Sequence, residues 1–337
     1  MPAPGDGRLR LAFVGCGAIA RWHLRALRDA TTRTDVTAVV DVDPDRAGAM
    51  AEETGAEAFA SVEDALGRGR FDAALVMVPH HLHEAVAVPV LDAGRHLLLE
   101  KPMAPTVDAC GRILEAARGA GTVFLVAENA QYWPEVVRTK ELLDDGVVGQ
   151  VVTARAWYCG PPPEEFVHAG NWRLSRASMG GGVTIDAGAH WLRPLRMWLG
   201  EVTEVVAATA HPFRAMEGES MCRALCRFES GIVASFDALV SPGPVAPMPL
   251  FEVIGTAGEL VIDGLGRVKH YDGSDPRGTE VARGGYLQSY ERQLVAFEAA
   301  VLDGVPAPAD AAHALGELRA ALAMVRSASS GHWEPVW

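Results

Sequence analysis

No block of Lys and Arg runs along this chain, and its 43 acidic residues outnumber its 30 basic ones by 13. A surface of that sign repels a phosphate backbone and argues against a nucleic-acid partner. No run approaches the roughly 18 apolar residues that a membrane-spanning helix requires, so no membrane span is expected. Cysteine is scarce: Cys16, Cys110, Cys159, Cys222 and Cys226 are odd in number and scattered. They do not read as a disulfide framework, and a reducing cytoplasm suits them better. Cys222 and Cys226 would share one face of a strand, yet no second Cys or His pair completes a zinc set. No metal is expected. Arg8 and Arg10 ahead of the apolar stretch 11–20 imitate a signal peptide or a lipoprotein leader; the same residues read better as a strand entering a glycine turn, so a soluble, unprocessed chain is expected.

What is present is ordinary globular material, 49% apolar and 22% charged over 337 residues, enough for two domains. Residues 1–7 offer nothing to bury and predict a frayed terminus. Strand-like runs at 9–14, 36–40, 58–59, 73–78, 96–99 and 123–127 alternate with helical patterns. Three of these helices have legible starts: Asp43 before Pro44, Ser61 three residues before Asp64, and Thr106 before Val107. Strands separated by helices imply parallel pairing, hence a doubly wound α/β dinucleotide-binding domain over 1–128. After it the pattern changes. Strand-like stretches at 151–158, 202–209, 222–228, 232–239, 250–254, 259–262 and 268–271 are joined by short polar turns, the mark of an antiparallel sheet. Helices at 286–302 and 310–329 close an α+β domain over 129–337. Its last strands are rich in Val, Ile and Phe, so the open face of the sheet predicts a homodimer or homotetramer.

The first strand runs into Gly15-Cys16-Gly17-Ala18-Ile19-Ala20 and then a helix. In a dinucleotide fingerprint the first glycine makes the tight turn and the second admits the pyrophosphate, while the third position needs only a small side chain. Unpaired amides at the helix start favour the negative charge, so Gly15, Gly17, Ala18 and Ile19 are cofactor-binding candidates. Asp41, 24 residues after Gly17 at the end of the second strand, can accept the ribose hydroxyls. It would repel a 2′-phosphate, which favours NAD over NADP, although nearby Arg46 leaves NADP open.

Three more segments bear on chemistry: Val78-Pro79-His80-His81-Leu82-His83, Glu100-Lys101-Pro102, and the run 180–190 that ends Asp186-Ala187-Gly188-Ala189-His190. With the glycine turn, and with FEVIGTAGELVID at 251–263 and SASSG at 327–331, the chain resembles the Gfo/Idh/MocA oxidoreductases along nearly its whole length. The resemblance implies a Rossmann domain followed by a domain with a large, mainly antiparallel sheet. It also implies NAD(P)-dependent hydride transfer at a secondary alcohol or ketone. By it, Lys101 stands at the edge of the nicotinamide pocket and orients the substrate hydroxyl. Asp186 and His190 match the family's DxGxH motif, with the histidine as acid/base, and Pro79, His83 and Glu100 border the cofactor. The sequence departs from the family at Val78, His80, Arg193 and the stretch 128–133, positions at which substrate is normally read.

The chemistry asks for these residue types on its own account. Hydride loss from a secondary alcohol requires the hydroxyl proton to leave almost together with it, so a base poised near neutral pH is needed, and His190 is the natural one. Asp186, four residues earlier, would share its face if the segment is helical and would hold the imidazole tautomer. A lysine cation stabilises the developing alkoxide. Taken singly, His190 is more often a capped or core histidine and Lys101 a surface lysine; their conjunction with the fingerprint carries the reading. Asn129, Gln131 and Arg173 are candidates to bind hydroxyls or a carboxylate. The tryptophans Trp133, Trp157, Trp172 and Trp191 offer indole faces to a sugar, a keto-sugar or a cyclitol. The Pro-rich segment 158–173 is expected to loop over the cleft. Two rival readings remain open: an enzyme that uses NAD for transient oxidation before an elimination, and a non-catalytic nucleotide-binding sensor.

Overall fold

Six parallel strands form the first sheet: β1 (Leu9–Val14), β2 (Thr34–Val40), β3 (Glu57–Phe59), β4 (Ala73–Val76), β5 (His96–Glu100) and β6 (Phe124–Ala127). The computed structural model describes residues 7–30, 33–166, 168 and 170–337, so most of the terminal stretch 1–7 falls outside the described residues. The strand order is β3-β2-β1-β4-β5-β6, the doubly wound arrangement in which ligands meet the carboxyl ends of the strands. β4 and β6 are buried at every position, as parallel strands covered on both faces must be. The three helix starts read from the sequence are capped as expected. The Asp43 carboxylate accepts from the Asp45 and Arg46 amides, the Ser61 hydroxyl from Asp64 N and the Thr106 hydroxyl from Ala109 N, each cap contributing about 1 kcal/mol.

The unit built on this sheet comprises Met1–Ala127 and, in addition, Tyr290–Leu315. Where the sequence alone ran one domain from 129 to the end, most of helix Tyr286–Leu302 joins the first unit. Tyr290, Leu294 and Phe297 are buried there, with Tyr290 stacked on Trp22 and edge-on to His23. Arg33 pairs with Glu298 at 3.2 Å and with Asp303 at 2.6 Å, and the Thr34 hydroxyl donates to Glu298 at 2.5 Å. No sequence period records that attachment, because its partners lie more than 260 positions apart.

The second unit, Glu128–Ser289 with Gly316–Trp337, holds nine strands: β7 (Val151–Gly160), β8 (Val202–Ala210), β9 (Met221–Phe228), β10 (Val233–Val240), β11 (Phe251–Gly255), β12 (Glu259–Ile262), β13 (Arg267–Tyr271), β14 (Thr279–Arg283) and β15 (Glu334–Pro335). They line up as β14-β13-β12-β11-β7-β10-β9-β8-β15, and every neighbouring pair is antiparallel except β7 with β10. β14 and β15 escaped the sequence reading because one is polar and the other is two residues long with a proline. Alternation sorts the side chains of β9 and β10. Cys222, Ala224, Cys226, Phe228, Ala234, Phe236, Ala238 and Val240 are buried on one face. The other face is less apolar than composition suggested: it carries Arg223–Asp237 at 3.0 Å and Arg155–Glu252 at 3.4 Å, with Leu225 and Ile254 exposed between charges. Among the described residues no helix is long and apolar enough to cross a membrane.

Candidate active site

Gly15 adopts φ +93°, and a Cβ there would lie 2.7 Å from the Met77 carbonyl oxygen at the end of β4, so only glycine lets the chain turn. A Cβ on Gly17 would meet nothing within 4 Å, which leaves open space beside the exposed start of helix Ala18–Ala30. Asp41 is buried at the end of β2. Its Oδ2 accepts from Cys16 N at 2.8 Å, and its Oδ1 accepts from Asp43 N and from the Arg46 guanidinium at 2.9 and 2.8 Å. Burial alone would raise this carboxyl, but Arg46 and the two amides hold it below the usual carboxylate range. A pinned, ionised acceptor beside an amide-lined turn fits the ribose and pyrophosphate of a dinucleotide, and these residues would hold it.

At the ends of β4 and β5 the motifs brace one another. His83 is fully buried, with Nδ1 2.8 Å from the Pro102 carbonyl and Nε2 2.9 Å from the Val78 carbonyl. Burial pushes the imidazole below its ordinary value, and the neutral ring donates to one of these oxygens at a time. His83 therefore ties two loop backbones together at the place where the resemblance expects the cofactor. Glu100 lies between His23 Nε2, at 2.8 Å from its Oε1, and the Lys101 amide, which donates to its Oε2 at 3.1 Å. His23, which the sequence did not single out, thus anchors the residue that positions Lys101. The Lys101-Pro102 peptide is cis, and Pro79 leads into the turn His80–Leu82.

In the second unit His190 finds a carboxylate, and it is Glu128. His190 Nδ1 lies 2.6 Å from Glu128 Oε1, which also accepts from Ala130 N at 2.9 Å. Glu128 is 2% exposed. Its burial resists ionisation, yet His190, Arg193 and the Ala130 amide hold it below the usual range. An ionised Glu128 keeps the proton on Nδ1 and so leaves the lone pair of the neutral ring on Nε2. Asp186 precedes helix Gly188–Leu199 by two residues, so the one-turn spacing that pointed to it does not apply. Its carboxylate faces Arg173 at 3.4 Å, and that guanidinium sits over the rings of Phe166 and Trp172, 4.3 Å from each centroid. Asn129 and Gln131 are buried: Asn129 donates to the Ser289 hydroxyl at 2.8 Å, and Gln131 lies 3.5 Å from Arg193. The segment 158–173 contains positions 167 and 169, outside the described residues. Glu128 had a signal in the sequence. It directly follows β6, and Glu100 is the last residue of β5, so an acidic residue stands at the carboxyl end of each of these two strands. Among the described residues no group of three or more His, Cys, Asp or Glu could hold a metal ion.

Comparison with known proteins bears on these residues. Residues 9–128 match the profile of the "Oxidoreductase family, NAD-binding Rossmann fold", and residues 136–261 match the "GFO/IDH/MocA C-terminal domain". A 1,5-anhydro-D-fructose reductase of Ensifer adhaerens is 29% identical over 96% of this chain and 97% of its own. An inositol 2-dehydrogenase of Corynebacterium glutamicum is 33% identical over 45% of this chain and 46% of its own. Among solved structures, an oxidoreductase of Thermotoga maritima superposes with a TM-score of 0.88 at 26% identity over 98% of both chains. GenD2 from gentamicin A biosynthesis, in complex with NAD, superposes with 0.84 at 27% identity over 99% of this chain and 98% of its own. The glycine turn, the buried Asp41 and both matched domains lead to one conclusion: the chain belongs to the GFO/IDH/MocA family of NAD-binding oxidoreductases.

Proposed function

We propose that this chain transfers a hydride between a nicotinamide cofactor and a secondary alcohol or ketone of a sugar, keto-sugar or cyclitol. The observation that carries the reading is the buried Glu128 on His190 Nδ1, the arrangement that leaves Nε2 free to take a proton. Bound NAD supplies the hydride acceptor, or in reduced form the donor. His190 Nε2 removes the hydroxyl proton during oxidation and returns it during reduction, and Glu128 offsets the imidazolium charge. Lys101 stabilises the alkoxide as it develops. Asp186 and Arg173, an anion beside a cation, read substrate hydroxyls, with Trp172 packed on the guanidinium, while Asn129 and Gln131 shape the wall behind His190. The activities for which the reductase and dehydrogenase relatives are named, on an anhydro-sugar and a cyclitol, support the substrate class.

The test is a panel of cyclitols, aldoses, keto-sugars and sugar nucleotides, followed at 340 nm with NAD and NADP separately. Net NADH formation with at least one polyol, faster than NADPH formation because Asp41 disfavours a 2′-phosphate, is the expected result. Turnover of a sugar without net NADH would favour the transient-oxidation reading instead. A purified chain that binds NAD yet reduces it with no member of the panel would overturn the proposal.

The free sheet face, with its ion pairs and its exposed Leu225 and Ile254, is proposed to bury itself against a second copy. Light scattering should return at least twice the 35.8 kDa chain mass; a monomer at micromolar concentration would contradict this. The five free thiols suit a reducing cytoplasm.

A further inference from the structure

The second unit contains a cavity of about 580 Å³, within the usual range of small-molecule sites. Trp133, Trp157, Tyr158 and Trp191 wall it, joined by Met248 and Leu265. Those last two are 41% and 71% exposed, a large apolar surface to leave to water. The cavity shares its wall with the proton carrier. The Trp133 ring lies 6.2 Å from the His190 ring, centroid to centroid, and Trp191 follows His190 in the chain at 6.4 Å.

The chemistry of the lining selects its occupant. Among the nineteen lining residues there is no Lys, Arg or His, and the one charged side chain is Glu135. A diphosphate would find no counter-charge there and would meet a carboxylate instead. A free sugar can stack its C–H faces on the indoles, but few side chains of the lining can pair with its several hydroxyls. An uncharged aryl or alkyl group matches the surface. We propose that the cavity receives the neutral, apolar aglycone of a glycoside whose sugar ring is presented to His190, an inference that rests on the reading of His190 as proton carrier.

Binding is read by the quenching of tryptophan fluorescence, since three indoles line the cavity, and turnover by NADH formation. The probes are 4-nitrophenyl β-D-glucopyranoside, D-glucose and UDP-glucose, each with the wild-type chain and with Leu265→Asp, a change at an exposed position. The aryl glucoside should bind about tenfold more tightly than glucose, and Leu265→Asp should remove most of that advantage without altering affinity for glucose or NAD. Equal binding of aryl glucoside and glucose overturns the proposal, as does tightest binding of UDP-glucose or an unchanged Leu265→Asp. Quenching that appears only on dilution to monomers also overturns it, because a second copy then fills the cavity. If the aryl glucoside binds and Leu265→Asp weakens it while no sugar reduces NAD, the aglycone site stands and the oxidoreductase reading fails.

Discussion

Replacing His190 with alanine is expected to lower kcat about 10³-fold while NAD affinity stays near wild type, with a lower melting temperature because the buried Glu128 loses its partner. His190 supplies the Nε2 lone pair for the substrate proton, and the dinucleotide turn, the Gly15–Ala20 loop with Asp41, belongs to the other unit. Glu128→Gln is the sharper companion. Both N–H groups that meet Glu128 converge on one oxygen, Oε1, so a glutamine carbonyl keeps both hydrogen bonds and only the charge is lost. The expected fall is about 10²-fold in kcat, because a buried anion no longer offsets the imidazolium. An unchanged kcat in His190→Ala would remove the residue from the mechanism, and an unchanged kcat in Glu128→Gln would reduce Glu128 to a cap on the Ala130 amide. Stability adds a second readout. The folded-state carboxyl lies below its unfolded value, so its contribution is complete above the unfolded value and is lost as pH falls through the folded one. Below roughly pH 4.3 the wild type should lose stability that Glu128→Gln never had.

The largest loss of stability is expected from Glu317→Gln. Arg193, Arg196 and Glu317 are all buried on facing helices, Gly188–Leu199 and Leu315–Ser330. Arg193 meets Glu317 at 2.9 Å through Nε and at 3.0 Å through Nη2, and Arg196 bonds Glu317 on one side and Glu201 on the other, there at 2.6 Å. The sequence makes room for this: a Cβ at Gly316 would fall 2.2 Å from the Arg196 guanidinium carbon. Removing the carboxylate charge leaves Arg193 without its buried counter-ion, which costs about 3–5 kcal/mol and should lower Tm by roughly 10 °C. A combined Arg193→Met, Glu317→Leu change, which removes Arg193 together with its partner and leaves Arg196 its bond to Glu201, should cost less. A melt of Glu317→Gln that coincides with wild type would show the network to be solvated and dispensable.

Much of this was legible in the residues themselves. The strand, glycine turn and helix at 9–30, the acidic residue after β2 and the three capped helix starts are local signals, and local geometry decides them. The partner of His190 was not legible in that way. Spacing along one helix pointed to Asp186, but the helix begins only at Gly188, and the carboxylate that arrives is 62 positions earlier, at the end of β6. His83, expected beside the cofactor, has a further role that the motif does not record. A histidine in a motif signals that something needs an imidazole, not whether the need is chemical or, as its two carbonyl partners indicate, architectural. The partition of the free sheet face into ion pairs followed from strand alternation, which an average over composition conceals.

The return of Tyr290–Leu315 to the first unit has a consequence for how the protein is made. A ribosome releases β1 to β6 early, but Tyr290, Leu294 and Phe297, which are buried in that unit, emerge only when the polypeptide is almost finished. The amino-terminal unit therefore cannot complete itself while it is the only part outside the exit tunnel, in contrast to the usual progression of folding during translation. A fragment expressed to residue 128 should bind hydrophobic dyes and aggregate until a peptide spanning 286–315 is added.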